Sequence, residues 1–152
     1  MPRILAVDWG RRRIGLAVSD PLGVIATGLP TLEIRGEAEA VARVADTIRE
    51  VTAESVVVGL PLTLAGGRGE SAEAAERFAF SLREATGLPV ALFDERLTSV
   101  VAQRRMRETG ERLRGRKGKL DQGAAVALLE GWLARLEIER RTEKDDDGDP
   151  TG

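Results

Sequence analysis

Apolar, strand-forming residues cluster between polar ends along residues 3–8 and again along 13–19, the pattern of two short strands, and the intervening "WGRRR" is suited to a hairpin connection. A third strand is expected within "GVIATGLPTLEI", interrupted by Gly28 and Pro30. The period then changes. Val41, Val44, Ala45, Ile48 and Val51 recur at helical spacing, "SVVVGLP" has the composition of a short buried strand, and Ala72, Ala75, Ala79 and Leu82 return to helical spacing. "LPVALFDE" supplies a fifth strand, Thr98 or Ser99 can cap a helix running to about Thr109, and Ala125, Leu128, Leu129, Trp132 and Leu136 form one apolar stripe of a last helix. The predicted order is βββαβαβαα. Three antiparallel strands followed by right-handed βα crossovers imply one α/β domain with a mixed five-stranded sheet and helices on its faces.

Composition fits a single globular domain, with 42% hydrophobic and 32% charged residues in 152. No apolar run is long enough to span a bilayer, and the N-terminus lacks a signal-peptide layout, so a cytoplasmic location is expected. The chain contains no Cys and no His, which removes disulfides, a thiol nucleophile, thiolate metal sites, the commonest general base and the commonest zinc ligand. Enzyme chemistry would fall to carboxylates, hydroxyls, Lys or Arg, and a hard metal ion.

The net charge of −2 conceals segregation. Residues 103–119 hold eight basic side chains against Glu108 and Glu111, whereas the end of the chain from Glu143 holds five acids and one Lys. A basic segment on a globular body is the footprint of a polyanion binder, with a solvated helix face and loop as the plainer use of the same charges. The acidic tail, residues 141–152, has no apolar periodicity and is expected to be disordered, leaving 1–140 as the folded domain.

One carboxylate is out of place in this pattern. Asp8 ends an apolar strand, and an unpaired buried carboxylate costs several kcal/mol or more, so a cationic partner is expected beside it. Three consecutive arginines, Arg11, Arg12 and Arg13, follow at once, in a chain that uses 20 Arg against three Lys. Guanidinium groups pair bidentately with phosphate.

The blocks "LAVDWGRRRIGLAVSD", "VVVGLPLTLAGGRGES", "FDERLTS" and "GKLDQGAAVALLEGWL" occur in the order of the signature blocks of the YqgF family, also called RuvX, and the similarity runs from about residue 3 to 136. The resemblance implies a ribonuclease H-like fold with sheet order 3-2-1-4-5. It also implies a metal-dependent nuclease acting on pre-16S rRNA in ribosome biogenesis or, as the alternative, on Holliday junctions in recombination and repair. Acids matching Asp8, Glu95 and Asp121 would hold Mg²⁺ or Mn²⁺ and form the catalytic set. Such ions prefer oxygen ligands, and a metal pair can activate water and stabilise the departing oxyanion, which suits a chain without His or Cys. Structured RNA or branched DNA is the implied partner, and a symmetric junction would suit a homodimer.

Around those acids, Arg11, Arg12 and Arg13 are candidates for binding the substrate phosphates, together with Arg116, Lys117 and Lys119 in "RLRGRKGKL", which reads as a mobile basic loop. The family usually has a small hydroxyl residue and Lys where this chain has Arg11 and Arg12. "LAGGRGES" is glycine-rich but is not a Walker A sequence. The absence of a side chain at Gly59, between the strands of Asp8 and Glu95, would leave room for the acid, a metal or a phosphate; a tight turn is its other use.

The acids also have purely structural uses. Asp8 could accept hydrogen bonds from the amides of the following turn, Glu95 could pair with Arg96, and Asp121 could cap the last helix. Trp9 suits packing better than base stacking, Trp132 belongs to the core stripe, and with 3% aromatics the affinity for nucleic acid should be mainly electrostatic. Two other classes stay open: a non-catalytic nucleic-acid-binding protein, and an ATPase of the actin and sugar-kinase type, which would need two such domains around its nucleotide.

Overall fold

The computed structural model describes residues 3–60, 70–94 and 117–147, with side chains of the last two stretches described over 72–94 and 123–144. Strands β1 (Arg3–Asp8), β2 (Arg13–Ser19) and β3 (Ala26–Glu33) form an antiparallel meander. Helix α1 (Glu37–Val51), strand β4 (Ala53–Leu60), helix α2 (Glu70–Thr86) and strand β5 (Val90–Asp94) then build the parallel half, and helix α3 (Lys117–Asp147) closes the fold. The sheet order is β3-β2-β1-β4-β5, as the sequence implies. The helix expected over residues 98–109 lies outside the described residues.

Strand alternation divides the core in two. Leu5, Val7, Ile14, Leu16, Val56 and Val58 face α1 and α2, where Val44, Ile48, Phe78 and Leu82 meet them. Ile4, Ala6, Ala17, Val57 and Phe93 face the other way and are covered by Ala125, Leu128, Leu129 and Leu133 of α3. Both faces of β1 and β4 are thus buried, which explains why their sequences read as continuous apolar runs. The central strand β1 ends on Asp8.

Three details differ from the sequence expectations. β3 is continuous through Gly28 and Pro30, because it is an edge strand and a bulge sets Pro30 and Thr31 opposite the single residue Gly15. A proline without an N–H is tolerated at such a position. Lys117 and Lys119, expected in a loop, belong to the first turn of α3, which starts two turns before the buried Ala125 of its apolar stripe. Elongation from an anchored stripe adds one hydrogen bond per residue and needs no further packing. At its other end α3 runs beyond residue 140 to Asp147, so residues 141–147 of the expected disordered tail are helical. Exposed pairs one turn apart lead up to and into that stretch: Arg135 Nε to Glu139 at 3.3 Å before it, and Arg141 Nε to Glu137 at 3.2 Å at its start.

The β2–β3 connection is tied by Asp20, whose carboxylate accepts the amide hydrogens of Val24 and Ile25, each at 2.7 Å. The bond from Ile25, with that from Val24, holds the carboxyl below its ordinary range against the opposing effect of desolvation. This tie lies at the end of the sheet remote from Asp8. Among the described residues no helix is long and apolar enough to cross a membrane.

Candidate nucleic-acid site at the end of the central strand

Asp8 is half-buried at the end of β1, in register with Gly15 of β2. Alternation with Ile4 and Ala6 puts it on the α3 face of the sheet. Gly59 of β4, two residues beyond Val57, falls on the same face, and it stands opposite Phe93 of β5. The strand between Asp8 and β5 therefore ends without a side chain at this level, as the sequence suggests. Asp94 follows Phe93 and takes the opposite face.

Helix α3 runs antiparallel to β1, since its Leu133 and Leu136 share a small cleft with Ile4 at the strand's start. From Ile4 to Asp8 the strand rises about 13 Å. From Leu133 back to Asp121 the helix spans about 18 Å, longer than the rise of the strand. Asp121 lies inside α3, which begins at Lys117, and this excludes the N-cap role. Glu95 and Arg116 lie outside the described residues, as do the side chains of Lys117, Lys119 and Asp121. Among the described residues no three acids are placed together to hold a metal.

The turn after Asp8 is shaped by two contacts. Trp9 points to the α1–α2 side and stacks on Phe78, ring centroids 4.7 Å apart, so it is a packing residue that fixes the end of β1. Trp132 packs edge-on against Phe93 at 5.5 Å, within the α3 core. Gly10 lies directly against the Arg13 backbone, and a Cβ there would collide with the Arg13 carbonyl oxygen. That oxygen belongs to a hairpin held by the β1–β2 and β2–β3 ladders and cannot swing aside. Gly10→Ala is expected to open the turn and cost about 1–3 kcal/mol, an overpacking penalty. Thermal unfolding checks this, at roughly 2–4 °C of Tm per kcal/mol for a chain of this length.

Beyond the turn, Arg11, Arg12 and Arg13 line an open cleft of about 1110 Å³ whose other wall is the end of β3 and the start of α1. Arg35 and Arg43 also line it, and sequence reasoning missed both. No local pattern marks them. The register that sets Arg13 beside Glu33, and the bond from the Ile34 amide to the Arg12 carbonyl at 2.9 Å, bring distant segments together.

A mixed sheet in this order with helices on both faces defines a ribonuclease H-like fold. The fold agrees with that of Thermus thermophilus RuvC in complex with Holliday junction substrate, with a TM-score of 0.59 and 18% identity over 90% of this chain and 96% of that one. It agrees also with the fowlpox virus resolvase bound to Holliday junction DNA, with a TM-score of 0.54 and 11% identity over 88% and 98%. The family model described as "RuvX: Holliday junction resolvase" matches residues 2–135, and the chain belongs to that family. Relatives named "Putative pre-16S rRNA nuclease" include one from Anaeromyxobacter dehalogenans (strain 2CP-C), 47% identical over 133 residues, covering 88% of this chain and 97% of the relative. Another, from Rhodococcus opacus (strain B4), is 46% identical over 136 residues, covering 86% and 76%.

Proposed function

We propose that the chain is a divalent-metal-dependent nuclease that hydrolyses phosphodiester bonds of nucleic acid, and that its cellular substrate is the 5′ end of pre-16S rRNA in the cytoplasm. The observation that carries this reading is Asp8, a half-buried carboxylate ending the central strand next to an arginine turn, in a member of the RuvX family. Names shared by relatives at 46–47% identity support the RNA substrate.

In this reading Asp8, Glu95 and Asp121 hold Mg²⁺ or Mn²⁺. The donor chemistry fits, because Asp8 offers a hard oxygen ligand and the chain has no His or Cys to compete. Phe93 facing α3 supports Glu95, two residues further along, and the reach of α3 supports Asp121. Bound metal supplies an activated water and charge neutralisation at the departing oxygen. The protein's own part is positioning. Arg11, Arg12 and Arg13 grip the phosphates beside the reacting ester, Gly59 leaves the space in front of them open, and Arg116, Lys117 and Lys119 add positive charge from the α3 side.

The family description favours a second reading, a resolvase acting on branched DNA as a two-fold dimer. Labelled pre-16S rRNA 5′ fragments and four-way DNA junctions, each incubated with Mg²⁺, Mn²⁺ or chelator, separate the two. Metal-dependent cleavage confined to RNA is expected. Turnover on junctions alone would transfer the assignment to DNA, and binding without cleavage of either would leave a non-catalytic binder.

A further inference from the structure

We propose that the cleft bounded by the arginine turn, the end of β3 and α1 is a second anchoring site for the nucleic-acid backbone, on the opposite side of the sheet from Asp8, with Arg35 and Arg43 as its phosphate contacts. The inference rests on the nucleic-acid reading above but not on cleavage.

Position comes first. Asp8 faces α3, whereas Ile34, in the cleft wall, belongs to the α1–α2 core. The β1–β2 turn lies between the two sides, so a strand held beside Asp8 and continuing over Arg11, Arg12 and Arg13 descends into this cleft. Arg43 is six residues into α1 from Glu37, which makes that wall about 9 Å long, more than one phosphate needs.

Charge comes second. Five arginines line the cleft against two carboxylates, Glu33 and Glu39. Glu39 is shared, pairing with Arg43 at 3.7 Å and accepting the Arg35 amide hydrogen at 3.2 Å. Arg43 also donates through its Nη1 to the Glu33 carbonyl, which fixes its guanidinium at the strand end, at the mouth of the cleft. The guanidinium groups of Arg12 and Arg35 make no hydrogen bond or ion pair among the described residues and stand exposed. Like charges gathered in this way repel until an anion arrives. Finally, among the described residues Thr31 is the one uncharged polar residue of the same wall, and Ile34 its one apolar residue. An open, polar, arginine-lined trough longer than one phosphate fits a polyanionic chain better than a small metabolite.

The test is binding by fluorescence anisotropy in chelator, which removes cleavage from the measurement. The probes are a labelled single-stranded RNA and a labelled four-way DNA junction, each titrated from 50 to 200 mM salt. Arg35→Ala is expected to lower the slope of log K against log salt by about 0.7 for the single strand and to weaken binding about eightfold at 50 mM salt, the value that slope gives when run from 1 M. Arg35→Ala with Arg43→Ala should double the slope change, and Glu39→Gln should tighten binding by releasing Arg43. Because Arg43 also braces β3, the single Arg35 variant and Glu39→Gln carry the test if the double variant melts early. Arg49→Ala, on α1 but outside the cleft, is the charge-matched control. Loss on the RNA probe alone or on the junction alone supports the site and names its ligand. Wild-type slopes in the Arg35 variant, or an equal loss in Arg49→Ala, would overturn the cleft assignment while leaving the nuclease reading intact. Absence of binding by the unaltered protein would overturn both.

Discussion

Asp8→Asn is expected to abolish metal-dependent cleavage, by about a thousandfold or more, while leaving the fold and nucleic-acid binding in place. The substitution keeps shape and volume at a half-buried strand end and removes one charge. An amide is a poor ligand for a hard divalent ion, so the transition state loses several kcal/mol of charge stabilisation; a thousandfold corresponds to about 4 kcal/mol. Binding in chelator should be unchanged or tighter, because the carboxylate repels phosphate when no metal is present. Circular dichroism and melting check the fold, anisotropy checks binding, and single-turnover cleavage checks the reaction. Cleavage persisting within tenfold of the wild type would remove Asp8 from the metal-holding set and with it the proposed chemistry. Glu95→Gln and Asp121→Asn should behave in the same way if the three acids act as a unit, with the double variants no worse than the single ones.

What the sequence revealed and what it hid divide along a physical line. Strands β1 and β2 were legible to the residue because their apolar runs stop where the glycine and arginines of the turn begin. The α3 stripe was legible for the same reason, since buried positions recur at helical spacing from Ala125 to Leu133. Asp8 stood out as a charge in an apolar run. Continuity of β3 through Pro30 was hidden, because it depends on that strand lying at the sheet edge and on a bulge opposite Gly15, which are facts of pairing. The exposed end of α3 was hidden because ion pairs one turn apart support it and it carries no apolar stripe to be recognised. Arg35 and Arg43 were hidden most completely: they become part of the site only when the meander folds the end of β3 back against the arginine turn.

Phe78→Ala is expected to be the most destabilising single substitution near the site, at about 3–5 kcal/mol, a large share of the roughly 5–15 kcal/mol that holds a typical domain folded. Phe78 is fully buried between α2 and the sheet, and its ring is the stacking partner of Trp9, 69 positions earlier in the chain. Truncation leaves a cavity beneath the residue that follows Asp8. Trp9 then loses its fixed position, and the end of β1 loosens with it. Two readouts should move together: a Tm lower by roughly 6–20 °C, and a red shift in tryptophan emission from Trp9 with Trp132 as the unchanged second fluorophore. Phe78→Leu keeps most of the volume and should cost less than about 1.5 kcal/mol. Because Asp8 and Gly10 flank Trp9, cleavage by Phe78→Ala, measured well below its Tm, should fall further than its unfolded fraction explains, and Phe78→Leu should recover most of it. Equal specific activity in both variants would show that the stack stabilises the fold without positioning the acid.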